Sequence, residues 1–124
     1  MSDSPKPTEI NLHQKSRVLE ISFNDGKNFQ IPVEFLRVYS PSAEVAGHGP
    51  GQEVLQIGKQ DVNIEKIEQV GNYAVQIFFD DNHNTGIYAW STLYDYGLNY
   101  TKLWQKYLER LTEAGHKRVE PSIN

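Results

Sequence analysis

Residues 73–90 read YAVQIFFDDNHNTGIYAW, and this stretch decides the fold. Tyr73, Val75, Ile77 and Phe79 alternate along one face of a strand, while Ala74 and Phe78 make the other face apolar as well. A strand covered on both faces belongs at the centre of a sheet. Residues 80–86 then turn the chain, because Asn and Asp bond their own backbone and tolerate left-handed geometry. Residues 87–90 return antiparallel and hand over to a helix, with Ser91 or Thr92 as the expected N-cap.

Beyond that point Leu93, Tyr96, Tyr100, Leu103, Trp104, Tyr107, Leu108 and Leu111 hold one apolar stripe at helical spacing. Gly97 weakens its middle, so the stripe predicts one helix or two, with a joint at 97–99. Gly115 is a natural stop. On the other side of the central strand, Val62 and Ile64 fall out of parity with Ile67, which predicts a bulge at Glu65-Lys66. Residues 40–61 carry Pro41, Pro50 and four glycines, a long irregular excursion in which Val54, Leu55 and Ile57 offer only a short strand. Earlier, Leu19, Ile21 and Phe23 share a strand face, Asp25-Gly26 supplies a hairpin turn, and Phe29 and Ile31 continue the alternation. Pro32 stops that strand, and residues 33–39 predict one helical turn with Leu36 inward and Arg37 facing solvent or a carboxylate. Residues 8–12 alternate weakly, as an edge strand does.

The expected architecture is α+β: a small antiparallel β-sheet with a short helical turn and one or two C-terminal helices. It forms a single domain over residues 8–115, after a disordered lead-in of residues 1–7 and before a tail of residues 116–124. The chain length of 124 residues matches one domain.

Composition narrows the function mainly by exclusion. The net charge of -4 with scattered Lys and Arg gives no footprint for nucleic acid or an anionic membrane. There is no cysteine, which removes disulfides, thiolate nucleophiles and Cys-held metal clusters. The N-terminus has no apolar leader, so the cytoplasm is the expected compartment. Residues 80–91 superficially suggest a calcium loop, but Thr85 stands where such a loop needs Gly and Ser91 where it needs Glu. His13, His48, His83 and His116 form no zinc or non-haem iron motif, although His48 and His83 lie on loops that can meet. No nucleophile elbow occurs, and residues 47–51 lack the Lys-Ser/Thr of a phosphate loop.

Residues 36–45, LRVYSPSAEV, and 82–90, NHNTGIYAW, together resemble the gamma-butyrobetaine hydroxylase-like N-terminal domain, over roughly residues 8–99. In the hydroxylases that domain is a β-rich appendage holding zinc through three cysteines, which follow a Leu-Arg pair, and one histidine. The resemblance places Ser40, Ser42 and Val45 at the cysteine positions and His83 at the histidine position. Hydroxyls and a valine do not replace thiolates, so the family zinc is expected to be absent. The 40–45 turn is then expected to pack directly on the His83 turn. The hydroxylases' catalytic iron belongs to a separate domain, and nothing here resembles it.

These readings converge on a non-catalytic binding or adaptor module, with no cofactor, recognising a protein partner or a small ligand. Arg37, Tyr39, His48, His83 and Trp90 are the expected binding residues, and changes at Arg37 and His48 are expected to weaken capture without unfolding. The alternative is a protein binding iron or zinc through histidines and carboxylates, linked to metal-cofactor or iron–sulfur metabolism. Domains related by the same resemblance occur fused to iron–sulfur carrier ATPases.

Overall fold

The structure, a computed structural model, describes residues 4–49 and 51–120. The hairpin announced by the Asp-Gly turn joins its second and third strands. Strand β1 (Pro7–His13) pairs with β2 (Val18–Phe23), which pairs with β3 (Asn28–Pro32), all antiparallel. Gly26 sits at φ 89°, the left-handed turn geometry that a side chain resists. Leu19, Ile21 and Phe23 are all buried, as their parity requires.

Two separate three-stranded sheets form rather than one. The second consists of β4 (Ile64–Val70), β5 (Ala74–Phe79) and β6 (Ile87–Ala89), with β5 central. Each sheet is made of chain neighbours, so each closes its ladder locally. Their apolar faces meet in one core, where Leu19, Ile21 and Ile31 join Ile64, Val75, Ile77 and Phe79. The predicted bulge is present as a register shift between Ile64 and Lys66. Tyr73 departs from the expected face: it lies in the turn before β5 and is 57% exposed.

Between the sheets the chain forms α1 (Val33–Val38) and α2 (Ala43–Ala46). Helix α2 was not foreseen. Ser42 caps it, its Oγ accepting from the Glu44 N–H at 3.3 Å. The expected strand at Val54–Ile57 does not form, and both of those residues are exposed. Instead the Val54 N–H donates to the Val45 carbonyl at 2.8 Å, pinning the loop to α2. Gly47 permits this closure, since a Cβ there would stand 2.2 Å from the Gln52 carbonyl oxygen.

Helix α3 (Trp90–Glu113) starts one residue before the expected cap, with Ala89 as N-cap and no side-chain cap. The reason is continuity with the sheet. The Trp90 N–H donates to the Tyr73 carbonyl at 3.0 Å, so the ladder satisfies the first helical donor. The helix breaks at Asn99, where φ is -111°, inside the expected joint. Gly97 has a packing reason as well, because a Cβ there would lie 2.3 Å from the Phe29 ring. Residues 1–3 of the lead-in and 121–124 of the tail lie outside the described residues. Residues 116–120 fold back, and Arg118 forks onto the buried Glu34 with contacts of 2.9 and 2.6 Å. Among the described residues no helix is long and apolar enough to cross a membrane.

Candidate functional site

The turn after α1 and the turn after β5 meet in a polar corner. Ser40 Oγ and His83 Nε2 are 2.8 Å apart, and both residues are buried. Ser40 Oγ also accepts from the Ser42 N–H at 3.2 Å. Thr85 donates to Glu44 Oε1 at 2.7 Å, so the 2.6 Å contact between Ser42 and Thr85 has Ser42 as donor. Gly86 lets the two turns approach, because a Cβ there would stand 2.6 Å from Ser40 Oγ. Below them the Tyr88 phenol donates to the Leu36 carbonyl at 2.5 Å, and full burial drives its pKa far above the ordinary value.

His83 Nδ1 is buried without a hydrogen-bond partner, and Glu44 Oε2 lies 3.6 Å from it. A carboxylate on that side favours the tautomer protonated on Nδ1, with Ser40 donating to Nε2. Burial, and then the Arg37 charge, depress the imidazole pKa below its usual value despite Glu44 and Asp81. The folded protein therefore holds His83 neutral. As pH falls below about 6.5, the unfolded chain takes up a proton that the folded one resists, so stability declines. We expect a slope of at most about 1.4 kcal/mol per pH unit in the unfolding free energy across that window, absent from His83→Gln. An identical slope in the variant would overturn the assignment.

Arg37 is not a free recognition residue. It is 7% exposed, and its guanidinium donates to Asp81 Oδ2 at 2.9 Å and Gln56 Oε1 at 3.0 Å. Lys59 reaches the same carboxylate oxygen at 2.8 Å. Burial pushes the Asp81 pKa up, yet the Lys59 and Arg37 bonds outweigh it and leave the group below its ordinary value. Removing one member of so buried a pair is expected to destabilise the fold, against the expectation that Arg37 is dispensable for folding. Trp90 is not part of the corner either. Its indole donates to the Asn72 carbonyl at 2.9 Å, and it lines a cleft with Lys6, Thr8 and Gln69. His48 is exposed on the 47–51 loop, while His83 is buried against Ser40.

Tyr39 is placed differently again. It lines a groove of about 380 Å³ together with Val38, Pro41, Val45, Val54 and Tyr96. The Tyr39 hydroxyl donates to the Leu103 carbonyl at 2.7 Å, and the Tyr96 hydroxyl donates to the Tyr39 carbonyl. Burial pushes the Tyr96 phenol up to about 12, so both rings are fixed, neutral walls. Glu53 and Arg110 stand at the same groove. Glu44, Thr85, Val54 and Arg110 were not singled out from sequence. The resemblance that set Ser40 and Ser42 against His83 was the signal available for the corner, and no pattern in the sequence marked Arg110.

The model of the gamma-butyrobetaine hydroxylase-like N-terminal family matches residues 10–94, more than half of the chain. The protein belongs to that family. A solution NMR structure shares 54% identity with it, over 99% of this chain and 91% of that one, at a TM-score of 0.82. A second shares 39% identity over 98% and 95%, at 0.81. A crystal structure from Acidithiobacillus ferrooxidans, of a DUF971 family protein of unknown function, shares 38% identity over 71% and 88%, at 0.60. Comparison with curated proteins gives no match.

Family membership raises the question of zinc at the corner. The residues present do not fit it. A zinc ion bridging an oxygen and a nitrogen tetrahedrally needs them about 3.4 Å apart, whereas Ser40 Oγ and His83 Nε2 stand at hydrogen-bond distance, 2.8 Å. Ser42 is engaged with Thr85, and Val45 has no donor atom. Among the described residues no three His, Cys, Asp or Glu side chains converge to hold a metal.

Proposed function

We propose that this domain is a non-catalytic binding module of the cytoplasm, needing no cofactor, whose recognition face is the groove walled by α1, α2 and α3. The supporting observation is the groove itself: about 380 Å³, with walls of Val38, Tyr39, Pro41, Val45 and Val54. That volume falls within the range of small-ligand sites, and loops held by a rigid scaffold are where recognition sits. The polar corner serves the groove indirectly. By tying residues 40–44 to the His83 turn, it holds Pro41 and Val45 in the groove wall without a metal. The absence of thiols and of any assembled acid–base pair in the groove supports binding over catalysis.

Ala46 is exposed and lines the groove, so Ala46→Arg fills it from the surface. Its stability is expected to stay within about 0.5 kcal/mol of the parent, as for most surface changes. Screening a small-molecule library against the ¹⁵N-labelled protein is expected to yield compounds that move groove amides. Their affinity should fall about tenfold or more in the variant, the cost of roughly 1.4 kcal/mol of lost contact. Compounds that bind elsewhere and ignore Ala46→Arg would refute the assignment.

A further inference from the structure

Among the described residues the groove lining holds one cation, Arg110, and one carboxylate, Glu53. Arg37 is neutralised by Asp81, and Arg118 by Glu34 and Glu120. Arg110, half-buried in the last turn of α3, has no carboxylate within ion-pair distance among the described residues. Arg110 lines the groove together with the Tyr39 and Tyr96 rings. Glu53, also at the groove, is exposed, with its carboxylate accepting from the Gly51 N–H at 3.2 Å. An arginine side chain half-buried beside apolar walls is complemented by an anion that brings its own apolar body. The groove volume of about 380 Å³ suits a small molecule.

We propose that the groove binds a small amphipathic carboxylate, with its head on Arg110 and its apolar body against Val38, Tyr39, Val45 and Val54. This rests on the binding-module reading and specifies its ligand class. The carboxylate forms charge-assisted hydrogen bonds to the guanidinium, while the hydrocarbon covers the walls.

Octanoate and its neutral isostere octanamide separate the two contributions. Each is titrated into the full ¹⁵N-labelled chain, followed by the amides of Val38, Tyr39, Val45 and Val54. Octanoate is expected to bind about tenfold more tightly than octanamide, the return from one partly solvated charge-assisted contact. Arg110→Gln should bring the two to equal affinity, with Arg110→Lys between. Equal affinities in the parent, or a preference that survives Arg110→Gln, would overturn the carboxylate assignment and leave the groove as a neutral site. Failure of both compounds to move groove amides would overturn it too, leaving the binding-module reading to the Ala46→Arg screen.

Discussion

Arg118→Ala is expected to destabilise the protein by about 2–3 kcal/mol, although Arg118 lies beyond the last helix. Its guanidinium forks onto Glu34 at 2.9 and 2.6 Å and lies over the Trp104 ring at 5.4 Å. Glu34 belongs to α1, and its side chain is 9% exposed. Truncating Arg118 leaves that carboxylate buried and uncompensated, which costs more than the pair itself contributes. The 19% exposure of the Arg118 side chain admits some water, so the estimate is set just below the range of about 3–5 kcal/mol for broken, fully buried pairs. A fall in melting temperature of about 8–12 °C should accompany it. Glu34→Gln combined with Arg118→Ala should recover part of the loss, because the buried charge goes with its partner. A single variant as stable as the parent would show that the segment after Gly115 is an unattached tail after all.

That clasp also marks the limit of what the chain discloses as a string of residues. Patterns of short period were readable: Leu19, Ile21 and Phe23 on one strand face, the bulge beside Glu65, the central position of β5, the break in α3 at Asn99. Each depends on neighbours a few positions away. The features that escaped depend on partners far along the chain. Glu34 and Arg118 are 84 positions apart; Arg37 does meet a carboxylate, one of the two expected outcomes, but its partner Asp81 is 44 positions away. No periodicity announces such a pair. The N-cap of α3 was misplaced for a related reason: a sheet carbonyl, that of Tyr73, took the place of a side-chain cap. The single sheet became two because closure within each hairpin region is local, whereas joining them would demand pairing across the whole α1–α2 excursion. Only the Ser40–His83 encounter was anticipated over such a distance. It came from likeness to a family pattern rather than from physical periodicity.

Introducing three thiols should convert the corner into a zinc site and yield the largest stabilisation expected for this chain. The resemblance matches Ser40, Ser42 and Val45 to the family's cysteines; all three are buried, and Ser40 and Ser42 bond His83 and Thr85 of the facing turn. In Ser40→Cys/Ser42→Cys/Val45→Cys, three soft anionic donors join one imidazole, the Cys₃His set that zinc binds tetrahedrally. A Zn–S bond of about 2.3 Å requires sulfur and Nε2 to stand about 3.6 Å apart. The present Ser40–His83 contact is 2.8 Å, so the two turns must part by less than one ångström. Without metal, the variant should be less stable than the parent, because the Ser40 and Ser42 hydrogen bonds are lost, each worth about 1 kcal/mol. With free zinc a thousandfold above the dissociation constant, linkage returns about 4 kcal/mol relative to the metal-free variant. The expected signature is a melting temperature that rises with zinc and falls with chelator, while the parent responds to neither. Adding His83→Gln to the triple variant should weaken the response sharply. If the triple variant folds but takes up no zinc at equimolar metal, these residues do not form the corner that the family's metal site occupies, and the view that hydrogen bonds have replaced zinc here is wrong.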